Sequence, residues 1–142
     1  MRVLFDTNVV LDVLLARAPH AGPATALLDR VAARELDGLL GATTVTTIHY
    51  LAARAAGPAV AHRHVRTLLG LLDVAPVTRA VLTDALAAGF PDYEDAVLHE
   101  AARHAGADAI VTRDAKGFAK SRLRTYGPGE LLRFLEASGG DG

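Results

Sequence analysis

The chain has 142 residues, about half of them apolar, with 15 basic and 16 acidic residues and a formal charge of −1. That length and apolar share suit one domain with a sizeable core, and the near-neutral charge excludes a polycation that coats nucleic acid in bulk. The absence of Cys excludes disulfides and thiolate-bound zinc, no apolar run reaches the ~18 residues of a membrane span, and "MRVLFDTNVV" lacks a signal peptide's pattern, so a soluble cytoplasmic protein is expected.

In chain order, "RVLF" at residues 2 to 5 reads as a short buried parallel strand ending at Asp6. "VVLDVLLA" follows as a first helix, and "GPATALLDRVAARE" as a second, with Pro23 near its first turn. A second strand is expected near residues 38 to 42. "TTVTTIHYLAARAAG" then opens with Thr cap candidates and stops at Gly57. "PAVAHRHVRTLLGLL" is the next helix, "DVAPV" a third short strand, and "TRAVLTDALAAG" a helix ending at Gly89. "DYEDAVLHEAARHAG" opens a further helix with Asp92, Glu94 and Asp95 crowded at its start. "ADAIVT" is a fourth strand, "LRTY" a candidate fifth, and "GPGELLRFLEA" a closing helix. Residues 1–137 thus form one domain, and "SGGDG", residues 138–142, reads as a disordered tail.

Strands alternating with helices imply a parallel sheet covered on both faces. Right-handed crossovers bring all strand C-termini to one edge, where ligands bind in such folds. Asp6 ends the first strand and Asp114 follows the fourth. A helix packed on a parallel sheet runs antiparallel to the strands, so Asp92, Glu94 and Asp95 also reach that edge. At ~100° per residue, Leu98, Ala101, Ala102 and Ala105 form the buried arc of their helix. Asp95 borders that arc and leans over the sheet rim. Asp92 falls on the wetter side with His99 and Arg103 and reads as the helix cap, whereas Glu94 reads as a surface acid that favours the helix dipole.

Unit charges about 4 Å apart repel by roughly 4 kcal/mol at an effective dielectric of 20. Such carboxylates must protonate, stay apart or bind a cation. Oxygen donors without Cys select Mg²⁺ or Mn²⁺, and phosphodiester hydrolysis is the natural chemistry of such ions. Arg63, Arg66, Arg113, Lys116, Lys120, Arg122 and Arg124 are candidates for a local nucleic-acid patch, with a solvated surface as the alternative.

"VLFDTNVVLDVLL", "DYEDAVLHEAA" and "DAIVTRDAKGF" together resemble a PIN-domain nuclease of the VapC toxin type, in order and spacing over nearly the whole chain. The resemblance implies a three-layer α/β/α sandwich with a central parallel sheet of four to five strands. It implies an acidic cluster that binds Mg²⁺ or Mn²⁺ and cleaves RNA, with Asp6, Asp95 and Asp114 as catalytic and metal-binding residues. Thr7 and Asn8 match residues that brace the first acid, and Thr112 matches the hydroxyl of the late motif. Arg113 and Lys116 flank Asp114 as RNA contacts. A small antitoxin and a homodimer are the implied protein partners.

Many such relatives carry a Glu in the helix after the second strand. "GATTVTTIHYLAARA" has no acid there, and His49 lies near its place. Asp92 is the acid best placed to substitute for it, through a metal-bound water. The alternative is a degenerate fold that binds RNA or protein without catalysis. A haloacid-dehalogenase phosphatase would need a second Asp where Asn8 stands, and a receiver domain needs an acceptor Asp after a middle strand, which "DVAPVT" lacks.

Overall fold

A computed structural model describes residues 1–139. The elements are β1 (Arg2–Phe5), α1 (Thr7–Leu14), α2 (Ala21–Ala32), β2 (Asp37–Gly41), α3 (Ala42–Ala56) and α4 (Pro58–Leu71). They continue as β3 (Asp73–Ala75), α5 (Arg79–Leu86), α6 (Tyr93–His104), β4 (Ala109–Val111), β5 (Arg124–Tyr126) and α7 (Pro128–Gly139).

The five strands form one parallel sheet in the order β3-β2-β1-β4-β5. The candidate fifth strand is therefore present, as the edge next to β4. The chain steps outward from β1 to β2 and β3, then returns to place β4 on the other side of β1. This reversal creates a crevice at the C-terminal ends of β1 and β4, the place where open parallel sheets bind ligands.

Strand alternation sorts the core into two layers. Val3 and Phe5 of β1 join Leu40, Ala109 and Val111 in a cluster with α1, α2 and α7 residues and with Ile48 and Leu68 from α3 and α4. Leu4, Leu39 and Ile110 point the other way, onto α5, α6 and Phe118. Both sheet faces are thus covered, which is why β1 and β4 are uninterrupted apolar runs. The result is the expected three-layer α/β/α sandwich.

Gly41 allows a close approach in the second layer. A Cβ there would stand 2.4 Å from Leu98 Cδ2, so the Leu98 side chain settles over β2 in space that glycine leaves free. Gly41 also serves as the N-cap of α3, because the strand enters the helix with no connecting loop. The Thr caps expected for this helix are consequently not used: α3 has no side-chain cap, and the Thr44 hydroxyl turns instead to Thr7.

Two boundaries differ from those expected. Helix α1 begins at Thr7 rather than Val9, because Asp6 caps it directly. Ser138 and Gly139, assigned to the tail from sequence, continue α7, and residues 140–142 lie outside the described residues. No helix among the described residues is long and apolar enough to cross a membrane.

Candidate active site

Asp6 leaves β1 at the crevice with only 6% of its surface exposed. Its Oδ1 accepts the Thr7 N–H at 2.7 Å and its Oδ2 accepts the Thr112 hydroxyl at 2.7 Å. Both carboxylate oxygens are therefore held by groups from two different elements. Thr112 follows β4, and its hydroxyl oxygen also accepts the Asp114 N–H at 3.0 Å. One buried hydroxyl thus couples the ends of the two central strands. The Thr7 hydroxyl meets that of Thr44 at 2.9 Å, which ties the start of α1 to the first turn of α3.

Helix α6 delivers its acids from the opposite wall. Asp92 is the N-cap, and its Oδ1 accepts the N–H groups of Glu94 at 2.8 Å and Asp95 at 3.3 Å. The predicted capping role is therefore present in the geometry. Asp95, half-buried in the first turn, projects toward the loop after β4.

That loop carries Asp114 and turns on Gly117. The Gly117 N–H donates to Asp114 Oδ1 at 3.0 Å. A Cβ on Gly117 would stand 2.5 Å from Asp114 Oδ2 and 3.0 Å from Asp95 Oδ2. The two carboxylates therefore border one small space, which exists because residue 117 has no side chain.

The electrostatics agree with this convergence. The Asp95 carboxyl is pushed up from its ordinary 3.8 to about 7 by burial, and then by the negative charges of Asp6, Asp92, Asp114 and Glu94. Burial raises Asp6 as well; hydrogen bonds from Thr112 and Thr7 oppose the rise, and the charges of Asp114 and Glu94 add to it. Glu94 was expected to face away as a surface acid. Its charge nevertheless acts on both Asp6 and Asp95, so it belongs to the rim of the same negative field. Crowded carboxylates with raised pKa values are a mark of a functional site.

Other sequence candidates fall elsewhere. His49 lies about 10 Å along α3 from its first residue. Its Nε2 meets His62 Nδ1 at 3.0 Å, with the rings edge-to-face at 4.8 Å, so it packs between α3 and α4 and does not take the place of a site acid. Asn8 makes no hydrogen bond to Asp6; its Oδ1 is buried without a partner, and its backbone carbonyl accepts from Arg17. The bracing expected of Asn8 comes instead from Thr112 and the Thr7 N–H. Arg113, expected as an RNA contact, has Nε on Asp12 Oδ2 at 2.6 Å and Nη2 on Asp12 Oδ1 at 3.2 Å. Lys116 is exposed and forms no ion pair among the described residues.

Sequence reasoning missed three contributors. Asp12 is fully buried on α1 and pairs with both Arg113 and Arg17, which anchors the loop after β4. An Asp inside the apolar run "VVLDVLL" was the available signal. Thr44 and Gly117 left no pattern distinguishing them from other small residues. The face of α6 with His99 and Arg103 was expected to be wet. Instead His99 is 1% exposed, because Phe90 packs on its ring at 4.8 Å and the Arg122 N–H donates to its Nε2.

Among the described residues, Asp84, Glu100 and His104 are the group whose ligand atoms all lie within 4.8 Å of one another. Asp84 is on α5, and Glu100 and His104 lie about 8 and 13 Å along α6 from Asp95. Arg103 already pairs with Glu100 at 2.6 Å and the His104 ring is hydrogen-bonded to Asp84 at 2.7 Å, so the polar groups here already have partners. The crevice acids are spaced more widely, as mutually repelling groups are.

The profile of the PIN domain family matches residues 2–116. No curated protein matches the chain in sequence. The fold is similar to that of VapBC2 from Rickettsia felis bound to a DNA fragment from its promoter, at 14% identity and a TM-score of 0.68 over 89% of this chain and 98% of that one. It is also similar to a toxin–antitoxin complex from Klebsiella pneumoniae, at 19% identity and 0.69 over 89% and 97%. A third likeness is to VapC20 of Mycobacterium tuberculosis, a sarcin–ricin-loop-cleaving toxin, at 16% identity and 0.60 over 76% and 86%. At such identities the likeness speaks for the fold, whereas the profile spans most of the sequence: the chain belongs to the PIN domain family.

Proposed function

We propose that this chain is a metal-dependent endoribonuclease and the toxin of a toxin–antitoxin pair, with Asp6, Asp95 and Asp114 as its catalytic centre. The observation that carries this reading is the space beside Gly117, bordered by carboxylate oxygens of Asp95 and Asp114 and left open by the missing Cβ. All its donors are oxygens, which suits Mg²⁺ or Mn²⁺. When bound, such an ion makes water acidic enough to attack at neutral pH and offsets charge developing on a phosphodiester.

The chain's own residues do the positioning. Thr112 fixes the Asp6 carboxylate and the Asp114 backbone in one arrangement. The Asp92 cap fixes the first turn of α6, and with it the direction of Asp95; its charge also adds to the negative field at Asp95, in keeping with a role in place of the missing family Glu. Lys116, which forms no ion pair among the described residues, stands close to Asp114 as a cation for an RNA phosphate. An antitoxin fits two features: the acidic rim suits an inserted Arg, and a cleft of about 100 Å³ lined by Leu11, Leu14, Leu15, Leu51 and Val60 suits apolar side chains. Toxin–antitoxin complexes of the same fold support this partner. A toxin of this kind acts in the cytoplasm, and exposed Leu69, Leu86 and Phe134 leave apolar surface for a second copy.

The test is digestion of a mixed RNA pool by purified protein with Mg²⁺, with Mn²⁺ and with EDTA, followed by sequencing of the RNA ends. The expected result is cleavage that EDTA abolishes and that reappears on adding metal. One observation favours the non-catalytic alternative: the first turn of α3 offers Thr44, bonded to Thr7, to the site region and no acid. Binding of RNA or antitoxin with no metal-dependent cleavage selects that alternative.

A further inference from the structure

Next to Asp114 the surface opens into a cleft of about 320 Å³, within the ~300–1,000 Å³ of ligand pockets. Thr112, Arg113 and Ala115 line it, so it begins where the Asp114 backbone passes. Its far walls are Tyr126 and the first turn of α7 with Glu130, and Pro19 and Pro23 close the side formed by α2 and the segment before it.

The polar groups in this cleft are of two kinds. Asp12 holds Arg113 through Nε and Nη2, which fixes the guanidinium plane. Its Nη1 makes no hydrogen bond among the described residues and remains a donor. Glu130 Oε1 accepts the Gly127 N–H at 3.0 Å, which fixes the carboxylate. Its Oε2 has no hydrogen bond among the described residues and remains an acceptor. Tyr126 is braced by Phe134, with ring centroids 5.6 Å apart, and gives the cleft an aromatic wall.

A fixed donor, a fixed acceptor and an aromatic surface beside a phosphodiester-cleaving centre suit a flat ring with hydrogen-bonding edges. We infer that this cleft takes the nucleobase adjoining the scissile phosphate and that it prefers guanine. The inference rests on the ribonuclease reading above. Guanine presents N1–H and N2–H together to a carboxylate and its O6 to a guanidinium. Adenine has no carbonyl for Arg113, and it would set the lone pair of its N1 against Glu130. Tyr126 supplies the stacking that single-stranded bases use on proteins. The cleft would thus decide where the RNA is cut, while the acids decide that it is cut.

The test titrates 5′-GMP and 5′-AMP separately into isotope-labelled wild-type protein without divalent metal and follows backbone amide signals. The phosphate is common to both, so a difference reports the base. GMP is expected to move the Tyr126, Gly127 and Glu130 signals at concentrations about tenfold below AMP. In Glu130→Gln the side-chain carbonyl can still accept from the Gly127 N–H, so the turn survives, and the advantage of GMP should vanish. End-sequencing of digested RNA should show guanine enriched beside the cut in wild type and not in Glu130→Gln. Equal shifts by the two nucleotides, no shift up to ~10 mM, or an unchanged base preference in Glu130→Gln overturns the inference. A cleft that responds only to a protein partner overturns it too. If RNA is not cut at all, the ribonuclease reading fails, and the nucleotide titration still decides the cleft.

Discussion

Asp6, Asp95 and Thr112 carry the sharpest expectations at the level of single residues. Asp95 has the most strongly perturbed carboxyl of the crevice, and four other acids contribute to that perturbation. Asp95→Asn keeps the size of the side chain and removes its charge. Cleavage should fall by on the order of 100-fold or more, the scale of losing one preorganised electrostatic group. The melting temperature should stay the same or rise, because repulsion is relieved. A single-turnover RNA assay and a thermal melt on the same preparation check both. Thr112→Val is the complementary test. It keeps the shape, yet removes the hydroxyl that donates to Asp6 and accepts from Asp114. A loss of about 1–3 kcal/mol in urea unfolding is expected, since two buried polar groups lose their shared partner. The Mg²⁺ concentration for half-maximal cleavage should rise as well, because Asp6 is no longer held.

Helix α6 and the turn at Gly117 make separate contributions at the level of elements. Asp92 caps α6 through one oxygen, so Asp92→Ala should cost about 1 kcal/mol of stability. Asp92→Asn retains a capping oxygen and deletes the charge. If Asp92 also tunes the ion, this variant unfolds like wild type in urea and needs more Mg²⁺ for half-maximal cleavage; an unchanged Mg²⁺ titration leaves Asp92 as a cap alone. Gly117→Ala acts on the loop instead. Its Cβ would enter the space between Asp114 and Asp95. Stabilisation by Mg²⁺ in a thermal melt should be lost along with cleavage, while the far-ultraviolet circular dichroism stays that of wild type. A melt in which Mg²⁺ still stabilises Gly117→Ala to the wild-type extent would place the ion elsewhere.

The whole molecule should show the crowding of acids as a pH dependence. In the metal-free fold Asp95 keeps its proton up to about pH 7, whereas in the unfolded chain it releases it near the ordinary 3.8. Between these values the folded state binds more protons, so stability falls as pH rises from about 4 to about 7 and levels off above. Asp6, also raised, acts in the same direction. On the proposed reading the ionised carboxylates hold Mg²⁺, so the stabilisation it confers should grow across that same window. Thermal melts from pH 4 to pH 8 with and without Mg²⁺ measure this directly. Burial lowers the His99 pKa and acts the opposite way, so the acids are read from the difference between wild type and Asp95→Asn: an identical pH dependence of the two metal-free proteins from pH 4 to pH 7 contradicts the crowding.

The amino-acid order by itself determined the alternation of strands and helices, and with it the covered parallel sheet. Buried strands such as "RVLF" and "AIV" are apolar on both faces, and caps such as Asp92 act within three residues, so local pattern is sufficient for them. It also placed Asp6, Asp95 and Asp114 at one edge, because in a parallel sheet strand ends and the N-termini of packed helices share it. Thr7 and Thr112 were legible as supporting residues, but only the tertiary structure decided what each side chain touches. Thr112 reaches Asp6 across 106 positions, and Arg113 reaches Asp12 across 101 with its side chain still partly exposed. His49 pairs with His62 because α3 and α4 pack side by side, and His99 is buried because a distant loop covers it. Contacts of this separation depend on how two surfaces dock, and no local spacing encodes that. The space at Gly117 is of the same kind: a glycine reads as a turn in the sequence, and becomes part of a site only when the remote Asp95 is folded against it and its neighbour Asp114.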